Sequence, residues 1–181
     1  MKKMIAMLLA VTMLLSLAAC GNKTTAPTTA PAEPVANVEG TMEEILNKIV
    51  EIKPVEFFGG TMPIDLTDTS EDGLANLKYN VGLDNADNIT DAAVFGPMMG
   101  SIAFSMVAVR VKEGADVKAV AEAMKTGIDP RKWICVEADD LQVASYGDVV
   151  MLIMVASNSG LTSQSFVDAF AQVCGGSVTV H

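Results

Sequence analysis

One histidine, three cysteines and 22 acidic residues are the side chains from which most chemistry in this sequence would come. His181 is the final residue given, a position where chains are usually mobile, so neither a Ser-His-Asp triad nor a zinc site is expected to rest on it. Cys135 and Cys174 stand 39 residues apart with no second thiol near either, which excludes a CxxC redox or metal motif. Cys135 also has no histidine expected beside it to activate it as a nucleophile. In an exported domain these two thiols can form a disulfide, and two buried apolar thiols are an equally ordinary arrangement.

The acidic runs come next. Asp65, Asp68, Glu71 and Asp72 form one, and Asp84, Asp87 and Asp91 another. Calcium favours oxygen-rich loops, but neither run has the D-x-[DN]-x-[DN]-G spacing with its closing bidentate glutamate. Helix caps and turn side chains account for them equally well. Asp139-Asp140 reads as a turn before a strand, and nothing selects a pair of carboxylates for glycoside hydrolysis. Met98, Met99, Met106, Met151 and Met154 carry thioethers that suit copper(I), yet their strand spacing assigns them to core filling. Arg131-Lys132-Trp133 joins two of the few cations to the single tryptophan, a candidate contact for a partner. The competing reading makes Trp133 an aromatic lid on the core. No metal, no cofactor and no catalytic residue is expected.

The elements that would position these groups follow from pattern. Thr41-Met42-Glu43-Glu44 is a capping box, and Met42, Ile45, Leu46, Ile49 and Ile52 recur at helical spacing until Pro54. Ser70, Leu74, Leu77 and Val81 suggest a second helix closed by Gly82. Laid over each other at an offset of 46, Val109 falls on Val155, Gly114 on Gly160, Val120 on Phe166, Ala123 on Ala169 and Met124 on Phe170. Each segment then reads as two strands and a helix: 92–99, 102–112 and 115–126, then 140–146, 149–156 and 163–174. Turns at Gly100-Ser101 and Gly147-Asp148 suit hairpins, and left-handed glycines at 127 and 175 would end the helices. The expected fold is α+β: a two-layer sandwich with a four-stranded, mostly antiparallel sheet, in ββα-ββα order after one or two N-terminal helices.

Residues ahead of this domain are of another kind. Lys2 and Lys3 precede an apolar run from Met4 to Leu17, shorter than the roughly 20 residues of a spanning helix, and Leu17-Ala18-Ala19-Cys20 follows. This resembles the lipobox of bacterial lipoproteins, which implies cleavage before Cys20 and diacylglycerol on its sulfur. Residues 1–19 are then a signal peptide and 20–40 a tether of threonine, alanine and proline with too little apolar surface to fold. Residues 41–181 form one domain. The formal charge of −10 becomes −12 without Lys2 and Lys3, which argues against nucleic acid as a partner.

The lipobox, the tether, Thr41-Met42-Glu43-Glu44-Ile45-Leu46, Gly82-Leu83-Asp84, the Val107-to-Gly127 unit and Val149-Val150-Met151-Leu152 together set the layout. In that layout the chain resembles lipoproteins of Gram-positive bacteria that carry a single domain of unknown function, over about residues 41–174. The resemblance implies a cell-membrane anchor through the lipid on Cys20 and an extracytoplasmic domain; it brings no catalytic residues. The expected activity is non-enzymatic binding of a protein or other cell-surface component of the envelope. Sensing of a small ligand or calcium is the alternative, and hydrolysis of wall material ranks last.

Overall fold

A computed structural model describes residues 37–99 and 102–181. The expected signal segment, Cys20, the expected tether as far as residue 36 and the expected Gly100-Ser101 turn lie outside the described residues. Among the described residues no helix is long and apolar enough to cross a membrane.

Helix α1 (Met42–Ile52) begins at the expected capping box: the Glu44 amide donates to Thr41 Oγ1 at 3.2 Å and the Thr41 amide donates to Glu44 Oε2 at 3.0 Å. Its stripe Met42, Ile45, Leu46 and Ile49 is fully buried, while Ile52 is left 43 % exposed at the last turn. Strand β1 (Gly59–Pro63) follows, then helix α2 (Glu71–Val81), capped by Ser70 and ended by Gly82 at φ +84°. Strands β2 (Ile89–Pro97) and β3 (Phe104–Val111) lead to helix α3 (Val117–Gly127). Strands β4 (Asp140–Tyr146) and β5 (Val149–Val155) lead through a short 3-10 turn to helix α4 (Ser163–Cys174), and β6 (Thr179–Val180) completes the sheet.

Among the described residues the sheet has six strands in the order β1-β2-β3-β5-β4-β6, every neighbour antiparallel. The α+β class and the antiparallel sheet agree with expectation; the count of four strands does not. Both extra strands lie at the edges, where pattern is weakest. Gly59-Gly60-Thr61-Met62-Pro63 is poor in strand formers, and a proline is admissible on an edge strand because no ladder partner needs its amide. Strand β6 is two residues long.

The two-layer expectation is also corrected. Helices α1 and α4 cover one face of the sheet and α2 and α3 the other, so the domain has three layers. Alternation explains it: Val107, Val109, Val150 and Leu152 pack toward α3, and Met106, Ala108, Met151 and Ile153 pack toward α1 and α4. Strands β3 and β5 are apolar on both sides, and each face draws helices over it. Every residue of β5 is buried. The matches at an offset of 46 fall on opposite faces, Val109 with Val120 on one and Val155 with Phe166 on the other. The two ββα units therefore share order and not placement.

Gly147 turns the β4–β5 hairpin at φ +56°, and Gly175 ends α4 at φ +71°. Gly127 does not take the left-handed role expected of it. It is the last helical residue of α3, with Ile128 extended as the cap.

Candidate functional site

The β4–β5 turn lies beside the end of β3, and together with the start of α3 and the segment before β6 they enclose an open cleft of about 640 Å³. Asn37, Lys112, Glu113, Ser145, Asp148 and Thr179 supply its polar walls. Arg110, near the end of β3, braces this region from behind. Its Nη1 donates to Asp148 Oδ2 at 2.5 Å, and its Nη2 donates to the carbonyl oxygens of Val38 at 2.9 Å and Gly40 at 2.7 Å. The remaining Asp148 oxygen, Oδ1, is buried with no hydrogen-bond partner among the described residues. A second tie holds the same stretch of chain, the Met42 amide donating to Asp91 Oδ2 at 2.9 Å.

Ser145 lies on the face of β4 that also carries Val143, under α3, and is only 8 % exposed. Its Oγ is 2.7 Å from His181 Nε2. The expectation of a mobile His181 fails because three ties hold the residue. Besides the hydroxyl contact, its amide donates to Val143 O at 2.9 Å, and Lys125 Nζ donates to its carbonyl oxygen at 2.5 Å. Burial lowers the imidazole pKa below its ordinary value; Glu122 acts against that, and Lys118 and Lys125 act with it. At neutral pH the ring is uncharged, and Nε2 can accept the serine proton when the tautomer places hydrogen on Nδ1. Sequence reasoning missed this pair. The two residues are 36 apart, and the only local signal was a serine two residues after Val143 on β4.

The Arg131-Lys132-Trp133 segment divides. Arg131 is exposed, its Nε 3.4 Å from Glu137 in an open ion pair. Trp133 packs half-buried against the core beneath α2 and α3. Lys132 turns inward. Its ammonium donates to Tyr79 O and to Ser105 Oγ, both at 3.1 Å, and lies 4.8 Å from the centre of the Tyr79 ring and 5.4 Å from that of Trp133. Ser105 is itself buried. No carboxylate forms an ion pair with Lys132 among the described residues, and desolvation lowers its pKa to about 8, with Asp129 opposing. Rings and hydroxyl replace the water that an ammonium normally keeps.

Both thiols are free, contrary to the possible bridge. Cys135 is exposed, in a loop whose Trp133 and Val136 pack against the α2–α3 face; Cys174 ends α4 on the opposite face. The sheet stands between them. Burial pushes the Cys174 thiol up to about 12, which leaves it inert.

The acidic runs are occupied with turns and caps. Asp65 accepts from the Thr67 hydroxyl and amide, Asp68 from the Ser70 amide, and Asp84 pairs with Lys78 at 2.8 Å. Asp139 accepts from the Ser157 hydroxyl and amide, which hold its carboxyl below the usual range. Asp140 accepts from the Ser163 hydroxyl and amide at the start of α4. Among the described residues no three of His, Cys, Asp and Glu are grouped to hold a metal ion. Met106, Met151 and Met154 are fully buried in the sheet, and Met98 and Met99 are exposed.

No family model, curated protein or solved structure matches the chain.

Proposed function

We propose that the chain is a lipid-anchored, extracytoplasmic binding module of the bacterial cell envelope, with the cleft at the β4–β5 turn as its ligand face. The anchor rests on Lys2 and Lys3, the apolar run and Leu17-Ala18-Ala19-Cys20, which resemble a lipoprotein signal. Two or three acyl chains hold firmly where one is marginal, since each buried CH₂ contributes about 0.8 kcal/mol.

The observation that carries the binding reading is the cleft itself. It is of small-ligand size, it brings together Lys112, Glu113, Ser145 and Thr179, and its wall residue Asp148 is held by Arg110. A site whose walls are already braced loses little entropy on binding. This favours a small polar ligand from the envelope or its surroundings; an envelope protein is the second reading, favoured by the exposed side chains of Phe58, Met62 and Met98 beside edge strand β1.

The test has two arms on the full chain. Labelled palmitate is incorporated by the native chain and lost on Cys20→Ala, together with retention in the membrane fraction; unchanged incorporation sinks the anchor. A thermal-shift screen against sugars, amino acids, wall fragments and calcium gives a shift that Lys112→Ala abolishes, since ligand at 100 times its Kd adds about 2.7 kcal/mol. A flat screen, with crosslinking in cells that recovers a specific protein, transfers the reading to the β1 edge.

A further inference from the structure

The cleft has a wall residue that does more than hydrogen-bond. We propose that Ser145 is a nucleophile toward carboxylic esters presented in the cleft, with His181 as the base that takes its proton. The proposal stands apart from the binding reading: it concerns a reaction at one hydroxyl and is read by a covalent adduct.

Three observations support it. Ser145 Oγ and His181 Nε2 are 2.7 Å apart, within the reach that a serine and its base require. Ser145 is one of the residues that line the cleft, so a carbonyl group seated there lies next to this residue. The His181 backbone is held by Val143 O and Lys125 Nζ, which brings its imidazole to Ser145 with no substrate present. A base that already meets its serine starts near its working geometry, and that saves entropy in the reacting complex.

The charges around the ring also fit. Lys118, Glu122 and Lys125 of α3 act on His181, and Lys112, Glu113 and Asp148 line the cleft across the sheet end. Burial, and with it Lys118 and Lys125, favours the neutral imidazole that can accept a proton; Glu122 favours the cation formed when it does. Lys112, the cation in the cleft wall, can take up negative charge developing on the carbonyl oxygen.

The chemistry balances without another reagent than water. The Ser145 Oγ–H proton passes to His181 Nε2 while Oγ bonds to the ester carbonyl carbon. The bond from that carbon to the alcohol oxygen then breaks, and the alcohol leaves with the proton from His181. A water molecule, giving a proton to His181, attacks the acyl-serine; the Oγ–acyl bond breaks, the carboxylic acid departs and Ser145 regains its proton.

The test is reaction of the full chain with a fluorophosphonate reagent, followed by intact mass and peptide mapping. One adduct is expected, on Ser145, forming at a rate that rises as the imidazole loses its proton below pH 6.5 and levels off near neutrality. In His181→Gln the amide can still hydrogen-bond the serine, and the rate is expected to fall by roughly a hundredfold, the lower bound for losing a general base. An unmodified Ser145 in the native chain overturns the proposal, as does a flat pH profile or an equal rate in His181→Gln. The pH profile needs no variant, so a poorly folded substitution still leaves the question decided.

Discussion

Gly127 and Gly82 meet backbone to backbone where α3 ends against the end of α2: a Cβ on Gly127 would collide with the Gly82 carbonyl oxygen. The Gly82 site is equally closed, because a Cβ there would lie 2.7 Å from Met124 O and from the Ile128 amide nitrogen. Two helix ends on the same face of the sheet are thus brought within a distance that only glycine permits.

Replacing Gly127 by alanine is expected to destabilise the domain by about 2–3 kcal/mol, since the collision is with backbone, which cannot rotate away. Alanine's better helix propensity, worth under about 1 kcal/mol, does not offset it. Urea unfolding at constant m-value measures the difference, and a Gly127→Ala chain as stable as the native one refutes the close approach.

Lys132 predicts a pH dependence of opposite sense to a surface lysine. Its folded pKa of about 8 lies below the ordinary 10.5, so the unfolded chain binds more protons between these values and stability rises with pH across that window. From pH 7 to 9 the gain is about 1 kcal/mol. Cys174, with its pKa raised from 9.0 to about 12, acts in the other direction as pH approaches and passes 9, where the unfolded thiol ionises and stability falls. Lys132→Met is expected to remove the rise between pH 7 and 9. Equal pH slopes for the two chains in chemical denaturation contradict a buried ammonium.

Arg110→Met is expected to cost about 2–3 kcal/mol, below the range for a fully buried pair because both side chains are one-fifth exposed. The loss has a definite source: Asp148 would then have neither oxygen paired, and two carbonyl groups would lose their donor. Hydrogen exchange adds a spatial check, since protection at the start of α1 should fall more than in β5. Uniform loss across the domain would show that Arg110 does not hold residues 38–40 in particular.

Much of this architecture is written locally. The capping box at Thr41, the stripe through Ile49 and the unbroken apolar run of β5 each carry their own signal, because cap, helix face and buried strand depend on neighbours within a few residues. Strand β1 is not legible in this way; two glycines and a proline become a strand only because Val94 and its neighbours offer a ladder. The number of layers was present in the alternation of β3 and β5, where both parities are apolar, but pattern does not say which helix covers which side. The candidate site was least legible of all. Ser145 meets His181 through the register of β4 with the last strand, and Lys132 turns inward because Tyr79 and Ser105, far away in sequence, receive it. Neither contact leaves a trace in spacing, and a cation in a polar run reads as a surface residue.

The grip of Arg110 on Val38 and Gly40 also has a mechanical meaning. Tension applied to the chain ahead of Asn37 meets two hydrogen bonds from a side chain rooted in β3, a strand in the middle of the sheet, and the buried Val38, before it reaches the first turn of α1. A load would therefore be delivered to the sheet rather than used to unwind a helix from its end, and it would arrive at Arg110 and its partner Asp148, beside the cleft whose wall includes Asn37.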